Sequence, residues 1–362
     1  MVAHRIAAGV SRLRRDWRSH VSSHKLEPEE SGLSKHKSFL VVLTLAVVTL
    51  PFHQERSAAF AQSSTSAVSG AAPELFAPGI ISGPENDGSP TFSPDGQTLF
   101  FTRSAAHWTV ILESRKVAGV WTKPKLASFS GEWPDSSPAM APDGSYIIFQ
   151  SIRPAEAAKA GEPAPHPVSN LWRVNRVGQG WSKPERLPDA VNIGHSIWKP
   201  SIAADGTVYL TVIDTNGGKR LYSAKFVNGA YRAAQPLPFS DGTTADVDPE
   251  VSPDGSFLVF CSSGRVKGND KDLLYMTRRN GDSWGAVTAL RYDGDEKPYG
   301  FSNDDEPHLG ADHRTIYFSS DRTVPVHFPR THAQAEEDLG RMEIWDNGNS
   351  NVWSMSLAPW LN

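Results

Sequence analysis

Ser93-Pro94-Asp95-Gly96 is the stretch that decides the fold, because variants of it recur along the chain. Ala141-Pro142-Asp143-Gly144 and Ser252-Pro253-Asp254-Gly255 repeat it. Ala203-Ala204-Asp205-Gly206 is a weaker copy, and Gly310-Ala311-Asp312-His313 is a degenerate one. A further proline precedes each copy: Pro90, Pro138, Pro200, Pro249 and Pro307. An apolar run follows each: Leu99-Phe100-Phe101, Ile147-Ile148-Phe149, Val208-Tyr209-Leu210, Leu258-Val259-Phe260 and Ile316-Tyr317-Phe318. Proline presets the φ of a tight turn, aspartate hydrogen-bonds locally, and glycine takes the left-handed corner that follows. Five copies of strand, tight turn and strand imply a repeat architecture.

The apolar runs lack polar alternation, so both faces of each should be buried. Sheets standing face to face around an axis produce that pattern. The reading is all-β: a five-bladed β-propeller of four-stranded antiparallel blades. Third strands fall at Trp108–Ser114, Asn170–Val174, Leu221–Phe226, Asp272–Thr277 and Asn351–Met355, and fourth strands open at Trp121, Trp181, Tyr231 and Trp284. These tryptophans, with Trp172 and Trp353, read as packing residues. Only Ala358–Asn362 follow the last third strand, whereas Pro73–Ile81, similar to Pro184–Val191, has no repeat ahead of it. The N-terminal strand is therefore expected to complete the last blade, tying the chain ends together and removing open sheet edges. The repeat prolines, from Pro90 to Pro307, lie 48, 62, 49 and 58 residues apart. The longer intervals mark insertions at 154–168 and 323–350, both between second and third strands. One face should be elaborated and the other compact.

The Ser-Pro-Asp-Gly-x-x-apolar-apolar-Phe unit resembles the TolB-type, WD40-like propeller repeat of exported bacterial proteins, over residues 73–362. Three of the five copies match closely; blades three and five depart from the pattern. The resemblance implies the fold and says little of function, since such propellers serve as docking platforms, enzyme appendages and lyases.

Ahead of the repeats lies Ser38–Leu50, an apolar run preceded by Lys35-His36-Lys37. It is short for a membrane span and suits the core of an export signal, with cleavage expected after Ala61 of Ala59-Phe60-Ala61. The expected division is 1–61 export segment, 62–72 Ser/Ala-rich linker and 73–362 propeller, in a periplasmic or secreted protein. Membrane contact would come only through an uncleaved segment. Removing residues 1–61 leaves 27 Lys and Arg against 35 Asp and Glu, a net charge of −8. An acidic domain of this kind is a poor nucleic-acid binder. The single cysteine, Cys261, excludes an internal disulfide and reads as a small core residue. No nucleophile elbow, phosphate-cradling loop or dinucleotide fingerprint is present.

Three residues before each repeat proline stand Asp87, Asp135, Ile197, Asp246 and Asp304. Just after the second strands stand Arg103, Arg153, Arg265 and Arg322, with Asp214 in blade three. The pattern supports two readings. The aspartates can cap turns and pair with the arginines across neighbouring blades, or the ring can bind a cation or a basic segment of a partner. Trp133 and Trp198, in loops entering inner strands, could stack on a sugar or a peptide. No cofactor is expected unless His195, His308 and His327 (or His332) converge on a divalent metal, as in some propeller lyases acting on acidic sugars. The leading expectation is a non-catalytic platform for a protein or glycan partner in the cell envelope. The alternative is a carbohydrate-active enzyme, a polysaccharide lyase or glycoside hydrolase, with its site at the acidic mouth. A structural subunit of an envelope complex is the third possibility.

Overall fold

The computed structural model describes residues 72–155, 168–292 and 302–361. The proposed export segment, the linker as far as residue 71 and most of the blade-two insertion lie outside these residues. Five antiparallel sheets form the ring. Their innermost strands are Asn86–Phe92, Asp135–Met140, Ser196–Ile202, Ala245–Val251 and Asp304–Leu309. Each returns through the repeat turn into Thr98–Ala105, Tyr146–Ser151, Val208–Ile213, Phe257–Ser263 or Thr315–Ser320.

Every turn works as its residues require. The Asp carboxylate accepts the amide two residues on: Gln97 at 3.0 Å, Ser145 at 2.9 Å, Thr207 at 2.8 Å, Ser256 at 3.0 Å and Arg314 at 2.9 Å. The next residue is left-handed, with φ of +66° to +82° at the four glycines and +54° at His313. The apolar second strands are buried on both faces, as in Leu99, Phe100 and Phe101. One apolar cluster lies in each gap between blades. Phe100, Phe129, Phe149 and Trp172, for example, join blades one and two.

The inner strands share a second device. The residue before each repeat proline, Ser89, Ser137, Lys199, Asp248 or Glu306, has positive φ and sits in a β-bulge. Proline lacks the N–H that a regular ladder needs, and a bulge accommodates the gap. The bulge amide turns to the neighbouring blade. Ser137 N donates to Thr102 Oγ1 at 2.8 Å, Lys199 N to Gln150 Oε1 at 3.3 Å, Asp248 N to Thr211 Oγ1 at 2.8 Å and Ser89 N to Ser319 Oγ at 3.3 Å. Cys261 holds the equivalent place in blade four, fully buried. Blades are thus fastened to one another by side-chain acceptors close to the axis as well as by apolar packing.

Closure follows the expected scheme. Glu74 and Leu75 pair with Ser354 and Trp353, and Phe76 N donates to Val352 O at 2.9 Å. Phe76 then meets Phe92, Trp121 and Tyr317 edge-on, locking the seam with aromatic contacts.

Two expectations need correction. Trp121, Trp181 and Trp284 do not open the outermost strands; they turn back on the ends of the third strands, opposite Lys116, Arg176 and Arg279. Each lies under the cationic group of that residue, at 4.6–5.4 Å. The outermost strands proper are two-residue pieces further on, such as Lys125–Leu126 and Glu185–Arg186. Second, the blade-five insertion contains a helix, His332–Ile344, which the all-β reading did not place.

Candidate binding face

Because strands alternate in direction, the second-to-third connections and the entries to innermost strands emerge on one face. There each of the four aspartates is held by the arginine of its own blade, not by a neighbouring blade. Arg103 meets Asp87 with Nε at 2.6 Å and Nη2 at 3.1 Å. Arg153 Nη2 lies 2.7 Å from Asp135, Arg265 holds Asp246 at 2.9 and 2.7 Å, and Arg322 Nη2 holds Asp304 at 2.6 and 2.5 Å. The guanidinium also lies over the second-strand phenylalanine: Phe101, Phe149, Phe260 or Phe318, at 5.2–5.6 Å. Burial pushes the Asp87 carboxyl up to about 6 even with Arg103 beside it, and pushes Asp135 and Asp304 upward in the same way.

Blade three differs at every one of these places. Ile197 is buried in the apolar cluster between blades two and three, together with Leu210, which stands where the phenylalanine would be. Asp214 is exposed and caps its own loop, accepting from Asn216 N at 2.7 Å and Gly218 N at 2.9 Å.

At the axis the structure assembles residues that the sequence reading did not join. Lys199 of blade three donates to Pro249 O at 2.8 Å and lies 3.4 Å from Glu250 Oε2. Glu250 Oε1 accepts Leu309 N at 2.9 Å, and His308 Nδ1 lies 3.5 Å from Oε2. Burial holds His308 well below the usual imidazole range, with Lys199 adding to the effect, while burial raises Glu250. The imidazole is therefore neutral, and its Nε2 is buried without a hydrogen-bond partner. Ser89, Ser137, Lys199, Asp248, Glu250 and His308 are all buried at this level of the axis. The clue in the sequence was positional. Lys199 and Glu250 flank repeat prolines, where blades one and two carry Ser, Thr or Ala.

The remaining candidates are dispersed. His195 and His327 are exposed while His308 is buried, and among the described residues no group of three or more His, Cys, Asp or Glu is arranged to hold a metal ion. Trp198 is half-buried with Lys219 Nζ 5.0 Å above its ring, and Trp133 is 39% exposed.

The blade-five insertion projects from the same face. Its helix opens with a capping box between Thr331 and Gln334, and Arg341 pairs with Asp338 within the helix and with Asp346 just beyond its end. Asn347 and Asn349 each donate to Pro84 O, at 3.0 and 2.7 Å, anchoring the insertion to the entry of blade one. No helix residue is buried, and Leu339, Met342 and Ile344 stand 45–49% exposed.

No family model matches the chain, and no curated protein matches it. Solved structures do. The putative TolB from Agrobacterium tumefaciens is 15% identical, with TM-score 0.45, over 75% of this chain and 91% of that one. TolB from Acinetobacter baumannii is 14% identical, with TM-score 0.42, over 75% and 54%. TolB-like propellers are among its structural neighbours. So is an α-L-arabinofuranosidase from Podospora anserina, at 13% identity and TM-score 0.45 over 80% and 95%. No helix among the described residues is long and apolar enough to cross a membrane.

Proposed function

We propose that this chain is an exported, non-catalytic binding platform whose partner, a protein of the cell envelope, docks on the elaborated face. The observation that carries the reading is the blade-five insertion. Its helix is capped and its far end is anchored to the ring through Asn347 and Asn349 on Pro84 O, yet it leaves Phe328, Leu339, Met342 and Ile344 substantially exposed. A held element that leaves apolar surface in water favours a partner that covers it. The enzymatic alternative loses its main support at the mouth, because each carboxylate of the aspartate ring already has its own arginine.

The test compares faces. A partner captured from envelope extract is identified, purified and re-bound to the immobilised full chain by surface plasmon resonance. Trp133→Ala combined with Phe328→Ser, both on exposed side chains of the elaborated face, should weaken binding roughly tenfold, about 1.4 kcal/mol. Gln97→Ala on the compact face should leave it unchanged. Loss of binding through Gln97→Ala alone, or turnover of an envelope polysaccharide by the purified chain, would reject the platform.

A further inference from the structure

Blades one to four each end their third strand in a tight hairpin, closed by the pairs Val117 with Val120, Val177 with Gly180, Val227 with Ala230 and Asn280 with Ser283. The first of the two turn residues has positive φ in all four: Ala118, Gly178, Asn228 and Gly281. Each hairpin leaves beside the repeat turn of its own blade. Lys116 N donates to Gln97 O at 2.8 Å, Arg176 N to Ser145 O at 2.8 Å and Arg279 N to Ser256 O at 2.7 Å, while Gly206 of blade three faces Phe226. All four tips therefore stand on the compact face, outside the ring of repeat turns. Three of them are apolar. Val117, Val120 and Val177 are each 62% exposed, and Phe226 and Val227 are exposed as well.

Charge accompanies these tips. The stretches 115–125, 176–183, 225–232 and 278–284 hold ten Lys and Arg, four in the first and two in each of the others, against a single carboxylate, Asp282. All ten are exposed. Arg115 and Lys125 share Glu113, and among the described residues the other eight form no ion pair. The remaining carboxylates of this face include the turn aspartates, which lie nearer the axis and already accept their own turn amides. The hairpins thus make a basic outer belt on a chain whose residues 62–362 are acidic overall.

Two kinds of surface fit only half of this pattern. An acidic protein or polysaccharide would meet the cations and leave the valines in water. An apolar protein surface would cover the valines and strand eight unpaired cations. A bilayer with anionic headgroups takes both, since apolar tips enter its boundary while Lys and Arg stay at the phosphates. We propose that the compact face seats on an anionic lipid surface, with the hairpin tips of blades one to three entering the headgroup layer. The proposal goes beyond the platform reading and uses the opposite face. Membrane contact then does not depend on the export segment, and the elaborated face points away from the lipid, open to a partner.

The probe is a vesicle of phosphatidylglycerol and phosphatidylcholine in equal parts, compared with phosphatidylcholine alone by co-sedimentation of the full chain. Binding should favour the anionic vesicle roughly tenfold or more and fall as salt rises. Residues 38–50 are present in every sample, so the deciding comparison is between variants. Lys123→Glu with Lys183→Glu and Lys225→Glu, at exposed side chains without ion pairs, should weaken binding roughly tenfold or more. Val117→Ser with Val177→Ser should weaken it severalfold, and neither set should shift the melting temperature of the ring. Unchanged binding of the lysine variant would overturn the proposal, because the lipid would then be held elsewhere. Valine changes without effect would overturn it too, and dextran sulfate binding as tightly as the vesicle would then identify a soluble polyanion as the occupant. The Trp133 and Phe328 changes lie on the other face and should leave vesicle binding intact, so the lipid seat and the platform can fail separately.

Discussion

In blades one, two, four and five an aspartate at the strand entry holds an arginine that lies over a phenylalanine. In blade three the corresponding residues are Ile197, Asp214 and Leu210, and no such pair forms there. The ring accepts both arrangements in the same strand geometry, since blade three keeps its bulge before Pro200 and its registered pairing. The ion pair is therefore not what makes a blade. What differs is the connection it serves. In blades two, four and five the arginine stands at the root of a longer connection, at 152–169, 264–272 and 321–350, and pins it to the strand entry. In blade one Arg103 reaches back to Ile81 O at 3.1 Å and fastens the entry segment instead. Blade three crosses in residues 214–218, and Asp214 closes that loop on itself. A short self-capped loop needs no anchor, whereas a variable one does.

The sharpest way to break this comparison is to remove one partner of a pair. Asp135 has no exposed side-chain surface and Arg153 only 8%, so Asp135→Ala strands a buried cation and Arg153→Ala a buried anion. Either should cost about 3–5 kcal/mol in urea denaturation. Replacing both by leucine brings blade three's apolar solution into blade two, and the double variant should lose far less than the sum of the two single losses. Additive losses would mean that the pair is not a unit, and the contrast with blade three would have no energetic content.

A smaller effect distinguishes the blades by pH. The Asp87 carboxyl is raised by burial from 3.8 to about 6. Between those values the folded ring holds a proton that the unfolded chain has released, so folding is favoured by acidification across this window. The stability difference between wild type and Asp87→Asn should shrink in favour of the variant as pH rises through about 6, by up to about 3 kcal/mol in all. The subtraction removes Asp135, Asp304 and Glu250, which are shifted in the same direction, and His308, whose lowered value acts oppositely. Ile197→Val in blade three carries no titrating group and should give a difference flat with pH. A flat difference for Asp87→Asn as well would refute the raised carboxyl.

Local chemistry explains why so much of the ring was legible. The turn needs Asp and Gly within four residues, and the apolar runs follow at once, so strand order and closure could be read without tertiary information. The register of Asp87, Asp135, Asp246 and Asp304 was equally visible, together with its gap at Ile197. What stayed hidden depends on contacts between distant residues. No local pattern says whether an arginine turns to its own blade or to the next one. The joining of Lys199, Glu250 and His308 spans three blades. The helix was missed because its apolar stripe is short, is interrupted by charges and Gly340, and buries nothing. Its capping box, Thr331 with Gln334, was the one local signal present. The misplaced fourth strands have a local cause in two blades. Pro124 and Pro184 lack the amide that a continuous ladder would require.

The finest comparison lies on the compact face, between the glycine corners and His313. Four turns put glycine at the left-handed position, and blade five puts an exposed histidine there at φ +54°. A residue with a Cβ strains that corner by roughly 1–2 kcal/mol, whereas glycine adopts it freely but loses more chain entropy on folding, about 0.5–1 kcal/mol. His313→Gly should therefore stabilise the ring slightly, by a few tenths to about 1 kcal/mol. Gly255→Ala is the mirror experiment. No heavy atom lies within 4 Å of the added Cβ, so the backbone alone decides the outcome, and a loss of about 1 kcal/mol is expected. Both are read from the urea midpoint at constant slope. Identical midpoints for wild type and both variants would mean that the left-handed corner carries no strain. The glycine that marks four of the five turns would then have no physical reason to be there, and blade five's histidine would be no compromise at all.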